Sequence, residues 1–161
     1  MSDTGPKQLY FDDLTVGRVF HTTAVEVTVE EIVSFAGRYD PQPFHTDPVA
    51  AEKTVFGGLV ASGWMTAALT MRLMMTGEFH FGSGVVGLGV DSLQWPRPVR
   101  PGDRLTASVE VMGTRTSKSR PAHGIVKIRT TTTNQENAVV QVMVSNVLAP
   151  RRPPAAGGNP P

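Results

Sequence analysis

The sequence predicts an α+β fold in which an antiparallel sheet encloses one long helix. Residues 62–76 supply the helix, and Trp64, Met65, Ala67, Ala68, Leu69, Met71, Leu73, Met74 and Met75 leave it almost no polar face. A helix apolar nearly all round is buried on most sides. The chain beyond it is β only, with strand candidates at residues 85–90, 105–111, 125–133 and 139–148. Consecutive strands joined by short turns pair antiparallel. The length, 161 residues, suits one domain that buries about two-thirds of its unfolded surface.

In chain order, residues 1–13 read as an N-terminal extension and residues 14–149 as the domain. Residues 19–27 are rich in β-branched side chains after the turn-like Val16-Gly17-Arg18, which marks a strand. Thr28 with Glu31 three residues on is a capping box, and Ile32, Phe35, Ala36 and Tyr39 share one face of the helix that follows. That helix should end near Asp40, because Pro41 disfavours helical backbone in the residue before it, and Pro43 keeps the next loop extended as far as His45. Asp47-Pro48 then opens a short helix to about Lys53, which Gly57-Gly58 breaks. The long helix starts at Ser62 or Gly63 and stops before Gly77. From Arg104 to Val111 polar and apolar residues alternate without a miss, so this strand has one wet face. Pro101-Gly102 turns the chain into it, and Gln135-Glu136-Asn137 connects the last two strands. Residues 150–161, dominated by Pro and Gly, read as a disordered tail.

Composition removes whole classes of chemistry. With no cysteine, disulfides, thiolate metal sites and cysteine nucleophiles are excluded. His21, His80 and His123 are scattered, with no second ligand one helical turn away, so no metal is expected. Residues 82–87 match the Gly-x-Gly-x-x-Gly pattern, but a β-like run follows where a dinucleotide site needs a helix. The opening residues lead into no apolar core of a secretory signal, which makes the cytoplasm the expected location. Residues 59–75 are interrupted by Ser62, Thr66, Thr70 and Arg72 and fall short of the roughly 20 apolar residues a bilayer needs, so no membrane partner is expected. Charged residues make up only 18% against a usual share of roughly 25%, and a partner subunit is expected to cover part of the surface. Net charge is +1, which gives no field to attract nucleic acid. Its distribution is uneven, however: residues 1–96 hold five basic against eleven acidic residues, and residues 97–129 eight against two. The second segment suits a polyanionic ligand, unless its cations are simply the solvated faces of strands.

One short segment joins acid, base and rigidity. Asp40, at a helix end, and His45, five residues later, are linked by Pro41 and Pro43, so a carboxylate and an imidazole can face one small cavity and share a water molecule. The plainer alternative is a helix-terminating Asp and a surface His. Phe35-Ala36, Asp40, Pro43, His45, Asp47-Pro48 and Ala50-Ala51 resemble the hydratase motif of MaoC-like proteins, the R-specific enoyl-CoA hydratases of the hotdog superfamily. The resemblance runs from about Leu14 to Ala149 and takes in Gly63 and the run from Trp95 to Asp103.

The resemblance implies a hotdog fold, a homodimer or higher homo-oligomer, and reversible addition of water to a trans-2-enoyl-CoA, giving the (R)-3-hydroxyacyl-CoA. Asp40 and His45 match the pair that binds the water, and Gly63 matches the glycine whose N–H polarises the thioester carbonyl. A helix N-terminus has free N–H groups and partial positive charge, which suits the enolate-like oxygen of such a reaction. Ser62 stands where the family commonly has histidine, and Met71 where some relatives have serine. Ser62, Trp64 and Met65 are expected at the substrate, and Arg97, Arg100, Lys118 and Arg120 at the phosphates of coenzyme A. Coenzyme A is part of the substrate, and no separate cofactor is implied. Two other functions remain open from the sequence: a non-catalytic acyl-CoA-binding hotdog subunit, and an acyl-CoA thioesterase. The Asp-x4-His pairing speaks against the thioesterase, since relatives with that activity lack it.

Overall fold

The computed structural model describes residues 8–154; the first seven residues of the expected extension and residues 155–161 of the expected tail lie outside the described residues. The elements are β1 (Val19–His21), β2 (Val25–Glu26), α1 (Val29–Tyr39), α2 (Pro43–Thr46), α3 (Pro48–Ala51), α4 (Gly63–Thr76), β3 (Val86–Gln94), β4 (Arg104–Thr116), β5 (His123–Thr133) and β6 (Val139–Pro150). The strands form one antiparallel sheet in the order β1-β4-β5-β6-β3, with β2 also on β4. The sheet wraps α4, which is the hotdog arrangement.

Local chemistry explains where the elements depart from expectation. The single strand foreseen at residues 19–27 is split, because the Thr22 hydroxyl accepts the Ala107 N–H at 2.8 Å and takes over a position in the ladder. Residues 43–46 are a helical turn, not an extended loop: Pro43 occupies a first-turn position, where its fixed φ suits a helix. The capping box of α1 is present in both directions, Thr28 Oγ1 accepting the Glu31 N–H at 3.2 Å and Glu31 Oε2 accepting the Thr28 N–H at 3.1 Å. Its buried stripe is narrower than expected, with Ile32 and Ala36 enclosed and Tyr39 exposed. Asp47 Oδ1 accepts the N–H groups of Val49 and Ala50 and starts α3, which ends at Ala51, short of Lys53.

The core lies on both flanks of α4. Met74 joins Phe20, Phe79, Val109 and Ile128 on one side, and Met65 and Leu73 join Ile32, Val99, Leu105 and Val140 on the other. Enclosure is incomplete in a single chain. Trp64 is 61% and Met71 47% exposed, and on the neighbouring edge strand β3 Val86, Leu88 and Val90 are each at least half exposed.

Parts of the foreseen extension and tail pack with the domain. Leu9 is buried, and Phe11 lies so close over Gly124 that any side chain at 124 would collide with it. Strand β6 runs to Pro150; Arg151 reaches Asp12 at 3.4 Å, and Arg152 reaches Asp13 at 2.8 Å while covering the ring of Tyr10.

Thr28→Ala should lower the unfolding free energy by about 1 kcal/mol, the usual worth of an N-cap side chain. Urea titration checks this as a lower midpoint at unchanged slope.

Candidate active site

Asp40 closes α1 and His45 sits in α2, and the turn between them brings Asp40 Oδ2 to 3.4 Å from His45 Nε2. His45 is 6% exposed. Its Nδ1 lies 2.7 Å from the Val60 carbonyl oxygen; a carbonyl only accepts, so Nδ1 carries the hydrogen and Nε2 is turned to Asp40. The Val60 N–H donates in return to the Phe44 carbonyl at 3.0 Å, and the Phe44 ring packs edge-on against the imidazole. The strand-like segment before α4 thus grips α2 from both sides of the histidine.

Three neighbours hold the carboxylate. Ser62 Oγ donates to Asp40 Oδ2 at 2.6 Å, Gln42 Nε2 donates to Oδ1 at 2.7 Å, and the His45 ring stands beside it. The Ser62 hydroxyl does most to keep Asp40 below its ordinary pKa; partial burial opposes it, and the Gln42 amide and the charge of His45 add to the lowering. Hydrogen bonds to a carboxylate favour its charged form. These contacts therefore favour the ionised form of Asp40.

Gly63 is the first residue of α4, and its N–H has no partner among the described residues. A Cβ at Gly63 would fall 2.6 Å from the ring carbons of Trp95, so the flat face of that indole requires glycine here. Beside this contact is a cavity of about 360 Å³ lined by Phe44, His45, Gly63, Thr66, Trp95 and Val99 among others. A second groove, about 570 Å³, runs between α1 and α4, but neither His45 nor Gly63 lines it.

The other foreseen site residues are dispersed. Ser62 is fully buried and gives its hydroxyl to Asp40, which makes it a support of the carboxylate rather than a substrate contact. Trp64 lies outside the cavity, edge-on to Trp95. Met65 is buried in the core and borders the groove between α1 and α4. Arg97 lines the cavity near its rim. Arg100 is exposed and donates to the Phe56 carbonyl at 2.7 Å. Lys118 and Arg120 follow β4, whose 13 residues carry the chain roughly 40 Å at about 3.3 Å per residue from the end near the cavity. Within one protomer they do not join the site. Sequence reasoning missed the roles of Gln42, Phe44, Thr66 and Trp95. Trp95 was visible as the aromatic ahead of Pro96, whereas nothing in the sequence marks Thr66.

Residues 13–134 match the family described as MaoC like domain. The uncharacterized protein YdeM of Bacillus subtilis (strain 168) is 33% identical over 129 residues, which cover 80% of this chain and 90% of that protein. An (R)-specific enoyl-CoA hydratase of Rhodospirillum rubrum is 30% identical over 149 residues, 89% of this chain and 93% of that one. The crystal structure of a MaoC-like dehydratase from Rhodospirillum rubrum superposes with a TM-score of 0.85 at 46% identity, covering 90% of this chain and 99% of that chain.

The lowered pKa of Asp40 has a pH consequence. Its carboxylate stabilises the fold fully above the ordinary value of 3.8, and this contribution is lost as pH falls through the lowered folded value. Ser62→Ala should raise the Asp40 pKa toward the ordinary value. Carbon-13 NMR titration of the side-chain carboxyl checks this, and an unmoved Asp40 would mean that Ser62 is not the cause.

Proposed function

The chain belongs to the MaoC-like domain family, and on that footing we propose that it is a hydro-lyase that adds water reversibly to a trans-2-enoyl-CoA, giving the (R)-3-hydroxyacyl-CoA. One observation carries this reading: Asp40 and His45 converge at 3.4 Å beside the Gly63 N–H, which has no partner among the described residues. Carboxylate, imidazole and backbone donor are what hydration of a conjugated thioester needs, and the hydratase from Rhodospirillum rubrum at 30% identity supports the same chemistry.

In the proposed reaction a water molecule rests against Asp40 and the Nε2 face of His45, with a lone pair toward C3 of the enoyl group. As the O–C3 bond forms, the C2–C3 electron pair shifts toward the thioester oxygen. The Gly63 N–H, at the positive end of α4, meets that developing charge. The ionised carboxylate receives the water's proton, and the pair returns a proton to C2, so the addition balances with no other reactant. Hydrogen bonds fix both groups, which reduces the rearrangement needed during the reaction. Arg97, on the rim, is the cation of this protomer placed to meet the coenzyme A phosphates.

The reading includes a homodimer. The α4 stripe at Trp64 and Met71 and the edge strand β3 are both apolar and exposed, and an unpaired edge strand is a natural template for another chain. Antiparallel pairing of two β3 strands would turn the partner's loop after β4, with its Lys118 and Arg120, toward the cavity end of this protomer.

Asp40→Asn and His45→Ala should each reduce hydration of crotonyl-CoA by about 10²- to 10⁴-fold with an unchanged circular dichroism spectrum. Loss of the ultraviolet absorbance of the conjugated double bond reports turnover. Wild-type rates in both variants would end the assignment, and thiol release without hydration would select a thioesterase instead. Val90→Glu should convert the dimer to monomer in sedimentation velocity.

A further inference from the structure

Gln141 is a fully buried amide in β6, flanked by Val139, Val140, Val142 and Met143. It faces inward because β6 carries an extra residue: Thr133 is paired with Val139 and Thr132 with Gln141, so Val140 is bulged and both Val140 and Gln141 are enclosed. Bulges commonly re-aim a side chain next to an active site. Gln141 Oε1 accepts the Trp95 indole N–H at 2.9 Å, and Gln141 Nε2 donates to Thr70 Oγ1 at 3.1 Å. Thr70 Oγ1 lies 2.8 Å from Thr132 Oγ1 and bonds the Thr66 carbonyl at 2.8 Å. A chain of buried hydrogen bonds therefore runs from the sheet, through the first turns of α4, to the indole.

Burying an amide and two hydroxyls is unfavourable unless they find partners, and apolar residues of similar size would fill the same space. What this network adds is a fixed orientation for Trp95. The indole lies near the surface, 40% exposed, where an unanchored ring would rotate. Instead it is held face-on to Gly63 and edge-on to Trp64, with ring centroids 5.4 Å apart. It forms a wall of the cavity that also contains His45 and the start of α4.

We propose that Trp95 is the specificity-determining wall of the site: clamped through Gln141, Thr70 and Thr132, it closes the cavity beside Gly63 and restricts the enzyme to short acyl chains. This rests on the reading of the site as one that takes acyl-CoA thioesters. The residue touches the bound acyl group, and Gln141 acts through it as a positioning residue. Removing the indole lengthens the space available to the chain without altering Asp40, His45 or Gly63. Removing the amide leaves the ring in place but free to swing.

The test compares wild type, Trp95→Leu, Trp95→Phe and Gln141→Leu as full-length proteins. It measures kcat/KM for crotonyl-, hexenoyl- and octenoyl-CoA, together with calorimetric affinities for butyryl- and octanoyl-CoA. Wild type should favour the short chains. Trp95→Leu should raise the octenoyl-to-crotonyl ratio about tenfold or more, the scale on which an apolar pocket discriminates by methylene groups. Trp95→Phe and Gln141→Leu should move it in the same direction by less. A wild-type preference for octenoyl-CoA overturns the proposal. So does an unchanged ratio in the folded variants, even if their stability falls, because a merely structural role leaves the ratio alone. Should Trp95→Leu not fold, the ratio in the other two variants decides. If wild type hydrates nothing but the affinities show the same length shift, the hydratase reading fails and the wall stands. If no acyl-CoA binds, both fall.

Discussion

One hydroxyl, that of Ser62, joins the start of the enclosed helix to the carboxylate beside it. It donates to Asp40 and accepts the N–H of Trp64, so the capping of α4 and the placement of the acid are a single event. An N-cap oxygen satisfies one of the orphan donors of a helix. Here the same atom also favours the ionised form of Asp40, and Ser62 itself is fully buried. The adjacent Gly63 N–H has no partner among the described residues, since Ser62 Oγ serves the next amide along the chain. Cap, carboxylate and free N–H thus stand in fixed relation to one another.

The helix that carries this arrangement is buried through a compromise. Its sheet-facing side is not purely apolar: Thr66 and Thr70 lie fully enclosed, and each returns a hydrogen bond to the carbonyl one turn back. Such back-bonding lets hydroxyls enter a core without orphaned donors. The stripe at Trp64 and Met71 is left to solvent in the single chain. A helix read as apolar all round is thus covered by its own sheet on one side and exposed at Trp64 and Met71 on another.

The fold was legible where local chemistry and tertiary packing agree. Thr28 and Glu31, Asp47 with Pro48, and the alternation that begins at Arg104 all announce local structure that the packing then keeps. The segment from Asp40 to His45 was legible because its prolines shorten the list of available conformations, although Pro43 starts a helical turn and does not extend a loop. Depth was harder to read. Ser62, Trp64 and Met65 are adjacent on one helix, and sequence alone does not say that the first is enclosed beside Asp40, the second faces outward and the third sits in the core. Lys118 and Arg120 stood out by charge, yet charge carries no information about which end of a strand a loop occupies. Gln141 was invisible because its inward position depends on a bulge, a property of the pairing between β5 and β6 and not of either strand alone.

The contacts among residues 10–13 and 151–152 bring the beginning and the end of the described chain to one place. Exposed ion pairs of this kind contribute only about 0–1 kcal/mol each; Phe11 seated on Gly124 and the enclosed Leu9 account for more of the attachment. Over residues 8–154 the chain is closer to a ring with one cut than to a thread. Where termini are neighbours, the cut can be moved without disturbing the interior. A circularly permuted chain, joined here and reopened in the exposed bend at residues 82–84, would retain the arrangement of Asp40, His45 and the start of α4.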